Sequence, residues 1–383
     1  MMNPPKLSAL PVRKTGLAHH TRRLLADKNN ALAQVRAGTQ EEVYMKKSVI
    51  FGALAVTGLL AGAASAATLD DVKARGALNC GVHTGLVGFG APDANGVWAG
   101  FDVSLCRAVA AAIFGDPNAV NFIPTTSQTR FTALASGEVD VLIRSSTWTY
   151  SRDTDLKFDW AAVNYYDGQG FMAPKALGVS SAKDLDGATV CIQTGTTTEL
   201  NLADFFRVNN ITYEPIPVAS DAEAQQQYLA GACDVYTTDA SGLAATRATF
   251  EHPEDHILLP EIISKEPLGP LVRHGDNQWG DIVMWTYYAL LSAEELGVTS
   301  ANVREMAAAP GSNPEINRLL GTEGEMGAMM GLPNDWAVNA IAAGGNYGEV
   351  FAKNIGETTP IGLARGLNEL WTKGGLQYSP PFR

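Results

Sequence analysis

The sequence predicts an α/β protein of two lobes, each a mostly parallel sheet flanked by helices. Short strand-like runs alternate with helix-period runs from Leu78 to Ile143, and a second series begins near residue 181. Strands separated by helices at this spacing build parallel sheets. The two series echo each other, since GEVDV (137–141) and GACDV (231–235) put Gly-x-x-Asp-Val at the same helix-to-strand junction. The 383-residue chain also exceeds one comfortable core, even with its first 66 residues set aside.

Those first residues read as a targeting region. Met45-Lys46-Lys47 is a basic start, Ser48–Gly62 an apolar run, and Ala64-Ser65-Ala66 a small-residue cleavage site, so cleavage after Ala66 is expected. The apolar run is too short and too rich in Gly and Ala for a membrane span. No cysteine follows the cleavage point, which argues against a lipid anchor. Residues 1–44 are expected to be an upstream misassigned start or a disordered arm. The twin arginines Arg22 and Arg23 lie too far from the apolar run for a good twin-arginine signal. Removing residues 1–66 leaves 19 basic and 37 acidic residues, which argues against nucleic acid and anionic membranes as partners.

The elements follow in order. LNCGV (78–82) is a short strand. Phe101, Leu105, Val109 and Ile113 recur every fourth residue and predict a helix with one apolar stripe, ended by Gly115. VNFIP (120–124) is a strand, RFTALAS (130–136) a helix and EVDVLI (138–143) an alternating strand. The second series reads strand (through ATVCIQ), helix from Thr196–Thr198, strand ITYEPIPV, helix DAEAQQQYLAG, strand CDVYTT and helix DASGLAATRAT. The aromatic, Gly-containing stretch 163–175 is the expected crossing between lobes, and 263–276 the return. Residues 67–172 are therefore assigned to lobe one, 173–268 to lobe two, and 269–383 to the rest of lobe one and a helical tail.

Three strand ends carry the chemistry of an amino-acid zwitterion, where ligands sit on such sheets. In RSSTWTYSR (144–152), Arg152 can grip a carboxylate through two parallel N–H bonds, with Ser145 and Thr147 adding hydroxyls. A plain surface pairing with Asp153 or Asp155 is the alternative. In TGTTTE (194–199), Thr196, Thr197 and Thr198 open a helix whose N–H groups favour anions; the alternative is a threonine cap completed by Glu199. Asp239, after CDVYTT, can accept from an ammonium, or it simply caps the next helix. No H-E-x-x-H pair or G-x-S-x-G elbow occurs, and GLVGFG (85–90) has the wrong glycine spacing for a dinucleotide. No metal, cofactor or catalytic set is expected.

These segments resemble the extracellular solute-binding proteins of polar amino-acid ABC importers. GFDVSLCRAVA, DVLIRSSTWTYSR, KDLDGATVCIQTGTT and CDVYTTDAS carry the resemblance, which covers nearly the whole chain after Ala66. YYDGQGF, ISKEPLGP, GNYGEVF, ARGLNELW and GGLQYSPPFR are similar to the general L-amino-acid, or glutamate/glutamine/aspartate/asparagine, binding branch. The resemblance implies a type II periplasmic-binding-protein fold with a two-strand hinge. It also implies a periplasmic monomer that captures an L-amino acid by closure and delivers it to a membrane permease and ATPase. Arg152 then matches the carboxylate clamp, with Ser145 and Thr147 beside it. Thr196, Thr197 and Thr198 match second-lobe contacts, and Asp239 the ammonium acceptor.

Departures from the family pattern bear on specificity. His83 and Leu86 stand where many relatives carry an acid and an aromatic, which argues against a lysine or arginine ligand. Arg144 replaces a small hydroxyl residue and favours acidic or amide side chains, unless it pairs with Glu138 or Asp140. Phe89, Trp148 and Tyr165 are candidate pocket walls. The four cysteines have no metal-type spacing, and their even number permits three pairings. They fit two bridges within the lobes, Cys80–Cys106 and Cys191–Cys233. Two rivals are an exported enzyme on the same fold, of cyclohexadienyl dehydratase type with Glu199 or His83 as acid or base, and a ligand-sensing module.

Overall fold

The computed structural model describes residues 68–383. The expected leader, its cleavage near Ala66 and the segment 1–44 lie outside the described residues. Two five-stranded sheets form the framework. In the first, Val120–Pro124, Leu78–Val82 and Val141–Leu142 run parallel, and Leu271–Arg273 and Phe158–Trp160 add an antiparallel pair at one side. The second has the same plan, with Tyr213–Val218, Ala188–Gln193 and Val235–Asp239 parallel. Gln169–Pro174 and His256–Leu258 are its added strands. The sheets are thus mixed, because each lobe accepts chain arriving from the other as an antiparallel strand. A two-stranded ribbon, Tyr165–Asp167 against Glu266–Leu268, carries the chain between them.

The helix with the four-residue stripe spans Phe101–Phe114, and Gly115 closes it in the left-handed conformation (φ 70°). It is buried on more than one face, with 11 of its 14 residues inaccessible. The reason lies in the C-terminal region, where helices Trp336–Gly344 and Asn277–Glu295 pack against it and against each other. Each large apolar side chain enclosed there contributes roughly 1.5–3 kcal/mol. Arg365 fastens the tail by gripping Glu294 through two N–H bonds of 3.1 Å.

Both bridges join the cysteines as paired above. Cys80–Cys106 ties the first strand to the Phe101–Phe114 helix, and Cys191–Cys233 lies inside the second lobe.

Candidate functional site, a cavity between the sheets

The ends of all six parallel strands converge on one cavity. His83 and Leu86 follow the first strand, Ser127 and Arg130 the next, and Arg144, Ser145 and Thr147 the third. From the other lobe come Gln193 and Thr196–Thr198, Asp221, and Asp239 with Ser241. The cavity measures about 40 Å³.

Three arginines are buried around it. Arg144 is 3% exposed, and its Nε donates to Thr125 O at 2.9 Å and its Nη2 to Ser127 Oγ at 3.3 Å. Arg152 donates Nη1 to Thr147 O at 3.0 Å and lies over the Phe131 ring, below the cavity wall that Thr147 forms. Arg130 donates to Ser146 Oγ at 3.2 Å, and its Nε is buried without a partner among the described residues. Among the described residues, no carboxylate lies within 4.0 Å of any of the three. Burial lowers the pKa of each. For Arg130 the neighbouring Arg144 and Arg152 charges add to the effect, and Arg152 is brought down to about 10. Such a cluster of desolvated cations favours an added anion.

Acids face them from the other lobe and the hinge. Asp239 stands before helix Ala240–Arg247 without making a capping hydrogen bond, so its carboxylate is left to the cavity. Burial, reinforced by the Asp167 and Glu266 charges, raises its pKa far above the usual carboxylate range. An ammonium placed there relieves that repulsion. Asp167 takes the Ser241 hydroxyl and is pushed up to about 6, chiefly by burial. Asp221 bridges the lobes, with Oδ2 at 3.2 Å from His83 Nε2. Burial raises its carboxyl, but the His83 charge and hydrogen bond and the Arg144 charge outweigh this and hold it below the usual range.

The hydroxyls are arranged differently from a plain anion cradle. Thr147 Oγ1 (2.5 Å) and Thr197 Oγ1 (2.8 Å) both donate to Glu266 Oε2. Glu266 Oε1 accepts from Asn201 Nδ2 and Ser264 Oγ, each at 2.7 Å. This carboxylate on the hinge strand therefore gathers groups from both lobes. Thr196 caps helix Thr197–Asn209 by accepting from Glu199 N, while the Glu199 carboxylate takes Gly195 N, so the reciprocal box is incomplete. Thr198 is buried, 2.7 Å from Thr196 Oγ1. Ser145 adopts a left-handed φ of 41°, unusual for a residue with a side chain. Asp102 Oδ2 holds it there, accepting its N and its Oγ at 3.0 Å each.

The sequence-predicted residues Arg144, Ser145, Thr147, Thr196, Thr197, Thr198, Asp239 and His83 all line the cavity. Arg152 sits just behind the wall. Phe89 is a correction. It is 1% exposed and packs edge-on against Phe101 and Tyr165 in the core, because a large ring in an apolar loop gains more from the core than from a polar cleft. Tyr165 belongs to the same cluster, and Trp148 is at the surface, stacked on Trp160. The competing pairings also fail, since Asp153 accepts from Trp148 Nε1 and Asp140 pairs with Arg75. Sequence reasoning missed Arg130, Asp221 and Glu266. Arg130 and Asp221 each follow a predicted strand, and the rule that singled out Asp239 applies to them equally. Glu266 had no such signal.

The sequence model of the bacterial extracellular solute-binding proteins, family 3, matches residues 78–301. The chain is 68% identical over 339 residues to the glutamate/glutamine/aspartate/asparagine-binding protein BztA of Rhodobacter capsulatus, covering 88% of this chain and 100% of that one. It is 58% identical over 343 residues to the general L-amino acid-binding periplasmic protein AapJ of Rhizobium johnstonii, with the same coverage. Among solved structures, an ABC transporter periplasmic binding protein from Brucella ovis with glutathione bound superposes with a TM-score of 0.81. It is 56% identical, over 83% of this chain and 100% of that one.

Proposed function

This chain belongs to the bacterial extracellular solute-binding proteins, family 3, and we propose that it captures glutamate, glutamine, aspartate and asparagine by hinge closure and delivers them to an ABC transporter. The observation that carries this reading is the opposition of Arg130 and Arg144, buried without carboxylate partners among the described residues, to the uncapped Asp239 across one cavity, with Arg152 just behind the cavity wall. The α-carboxylate is assigned to Arg152 and to the free N–H groups that open helix Thr197–Asn209. The α-ammonium is assigned to Asp239. Arg144 and Arg130 then face the side chain as donors. Gln193 and Asp221 line the same cavity as polar neighbours, so it suits amides as well as acids.

The molecule is read as a periplasmic monomer released by cleavage near Ala66, whose closed form docks on a membrane permease and its ATPase. The enzyme reading is disfavoured. The Glu199 carboxylate is taken by Gly195 N, and relatives at 58% and 68% identity are named as binding proteins, which favours capture over turnover. A thermal-shift screen of the twenty amino acids, followed by calorimetry, tests the proposal. The four named ligands should stabilise the protein most and bind one to one. Stabilisation by lysine or arginine alone would remove the assignment of Arg144.

The Brucella ovis relative adds a second reading. Glutathione keeps the α-amino-acid end of glutamate free and extends its side chain through an amide. Its accommodation here requires space beyond the side-chain end of the cavity.

A further inference from the structure

Asp221 opens helix Asp221–Leu229 of the second lobe and lines the cavity with 18% of its side chain exposed. Its Oδ2 accepts from Gln193 Nε2 at 3.3 Å and lies 3.2 Å from His83 Nε2. Its Oδ1 accepts only from the Tyr236 hydroxyl, at 3.2 Å, among the described residues. A carboxylate oxygen has two lone pairs, so one accepting position on Oδ1 is open. Burial raises the carboxyl, but the His83 and Arg144 charges outweigh this and keep it ionised at neutral pH.

Arg144 faces it from the first lobe, just past strand Val141–Leu142. Its Nε and Nη2 serve Thr125 and Ser127, which leaves the Nη1 donors. Burial lowers its pKa, and Asp221 is the largest charge acting against that shift. Asp221 is thus its principal counter-charge, yet among the described residues no ion pair within 4.0 Å joins them. A group seated between the two meets a donor on one side and an acceptor on the other. A carboxamide matches both, because its oxygen accepts and its nitrogen donates. A carboxylate matches Arg144 and meets a like charge at Asp221.

We propose that Asp221 sets the balance between amide and acid ligands, with Arg144 holding the side-chain oxygen from one lobe and Asp221 Oδ1 accepting the amide N–H from the other. This rests on the amino-acid reading of the cavity and names what divides amides from acids within it. Arg144 and Arg130 alone would favour acids, and the Asp221 charge offsets them. The amide then bridges the lobes at its side-chain end, as the zwitterion does at the other.

The test is titration calorimetry on protein from expression of the full chain, freed of co-purified ligand, with L-glutamine, L-glutamate and L-methionine sulfoxide. The sulfoxide is close to glutamine in size and keeps an accepting side-chain oxygen, but a methyl group replaces the amide nitrogen. The wild type should bind glutamine at least about tenfold more tightly than the sulfoxide. Asp221→Asn should move the ratio of the glutamine and glutamate dissociation constants at least about tenfold in favour of glutamate. Equal weakening of both amino acids by Asp221→Asn would make Asp221 a clasp between the lobes and overturn the selective role. Equal affinity of the wild type for glutamine and the sulfoxide overturns it too, and this comparison decides even where Asp221→Asn fails to fold. Both of those results leave the amino-acid reading intact. A wild type that binds neither glutamine nor glutamate removes that reading and the selective role together.

Discussion

The Arg152 guanidinium donates one hydrogen bond among the described residues, to the Thr147 carbonyl. It has further donors to give, and burial has already removed water from it. Truncating one member of a desolvated charge pair costs about 2–5 kcal/mol. Arg152→Ala should therefore raise the dissociation constant for glutamate by roughly thirty-fold to several thousand-fold, read by calorimetry. Unchanged affinity would take Arg152 out of the site. Asp102 offers a pH test of the same wall. Its carboxyl is pushed up to about 6, first by burial, with the Ser145 and Asn164 bonds and the Arg144 charge acting against the shift. The unfolded carboxyl ionises near 3.8. Its contribution is thus fully present below pH 3.8 and lost as pH rises through about 6. The shift corresponds to about 3 kcal/mol at most. The stability difference between wild type and Asp102→Asn, from urea titrations at pH 4 and pH 7, should shrink or reverse toward pH 7. A pH-independent difference would contradict the raised value. At this scale the sequence was readable where a residue type is rare without a purpose, as with an arginine among hydroxyls or an aspartate at a strand end. It was unreadable where burial is imposed by the opposite lobe. The strand-end rule reaches Arg130 in TSQTRF, but not its burial, which comes in part from Thr194 and Gly195 closing over its loop, where Gln128 bonds to Thr194 Oγ1 at 2.6 Å.

Among elements, the hinge ribbon matters most, and Glu266 is its least expendable side chain. Four donors end on one carboxylate that is 1% exposed. Glutamine at this position keeps one accepting oxygen and turns the other into a donor facing donors. Hydrogen bonds to a charged group are worth about 1.5–3 kcal/mol each, and part of that loss is recovered by hydroxyl rotation. Glu266→Gln should cost about 2 kcal/mol and lower Tm by roughly 3 °C. Calorimetric scanning checks this, and an unchanged Tm would mean that the ribbon alone aligns the lobes. The strands and helices that build the cleft were legible because their apolar periods and glycine stops are local. The tail was not. Helix Trp336–Gly344 reads WAVNAIAAG, apolar almost throughout, so no face stands out. Its identity depends on the groove beside helix Phe101–Phe114 that receives it.

For the whole molecule, the question is how little holds the lobes together. The contacts named between them are the Glu266 cluster, Gln128 with Thr194, and the His83–Asp221 pair, joined by a ribbon of three residue pairs. Most of these are polar groups that water also satisfies, and the second lobe adds only Ala244 and Ala245 to the first lobe's buried core, so parting the lobes mainly exchanges partners and exposes little apolar surface. Two arrangements separated by a few kcal/mol follow, and a ligand moves the balance only through contacts that exist in the closed one. Arg152 belongs to one lobe and Asp239 to the other, so a zwitterion held by both makes its full set of contacts only on closure. Converting a mostly open population to a mostly closed one takes about 5.5 kcal/mol of differential binding. Small-angle scattering should show the radius of gyration falling on saturation with glutamine, toward the roughly 20 Å of a compact chain of this length. Arg152→Ala, lacking the carboxylate contact, should compact less at ligand concentrations that saturate the wild type. A radius that stays constant while calorimetry records one-to-one binding would mean that the site is complete within one arrangement, and closure would then play no part in capture.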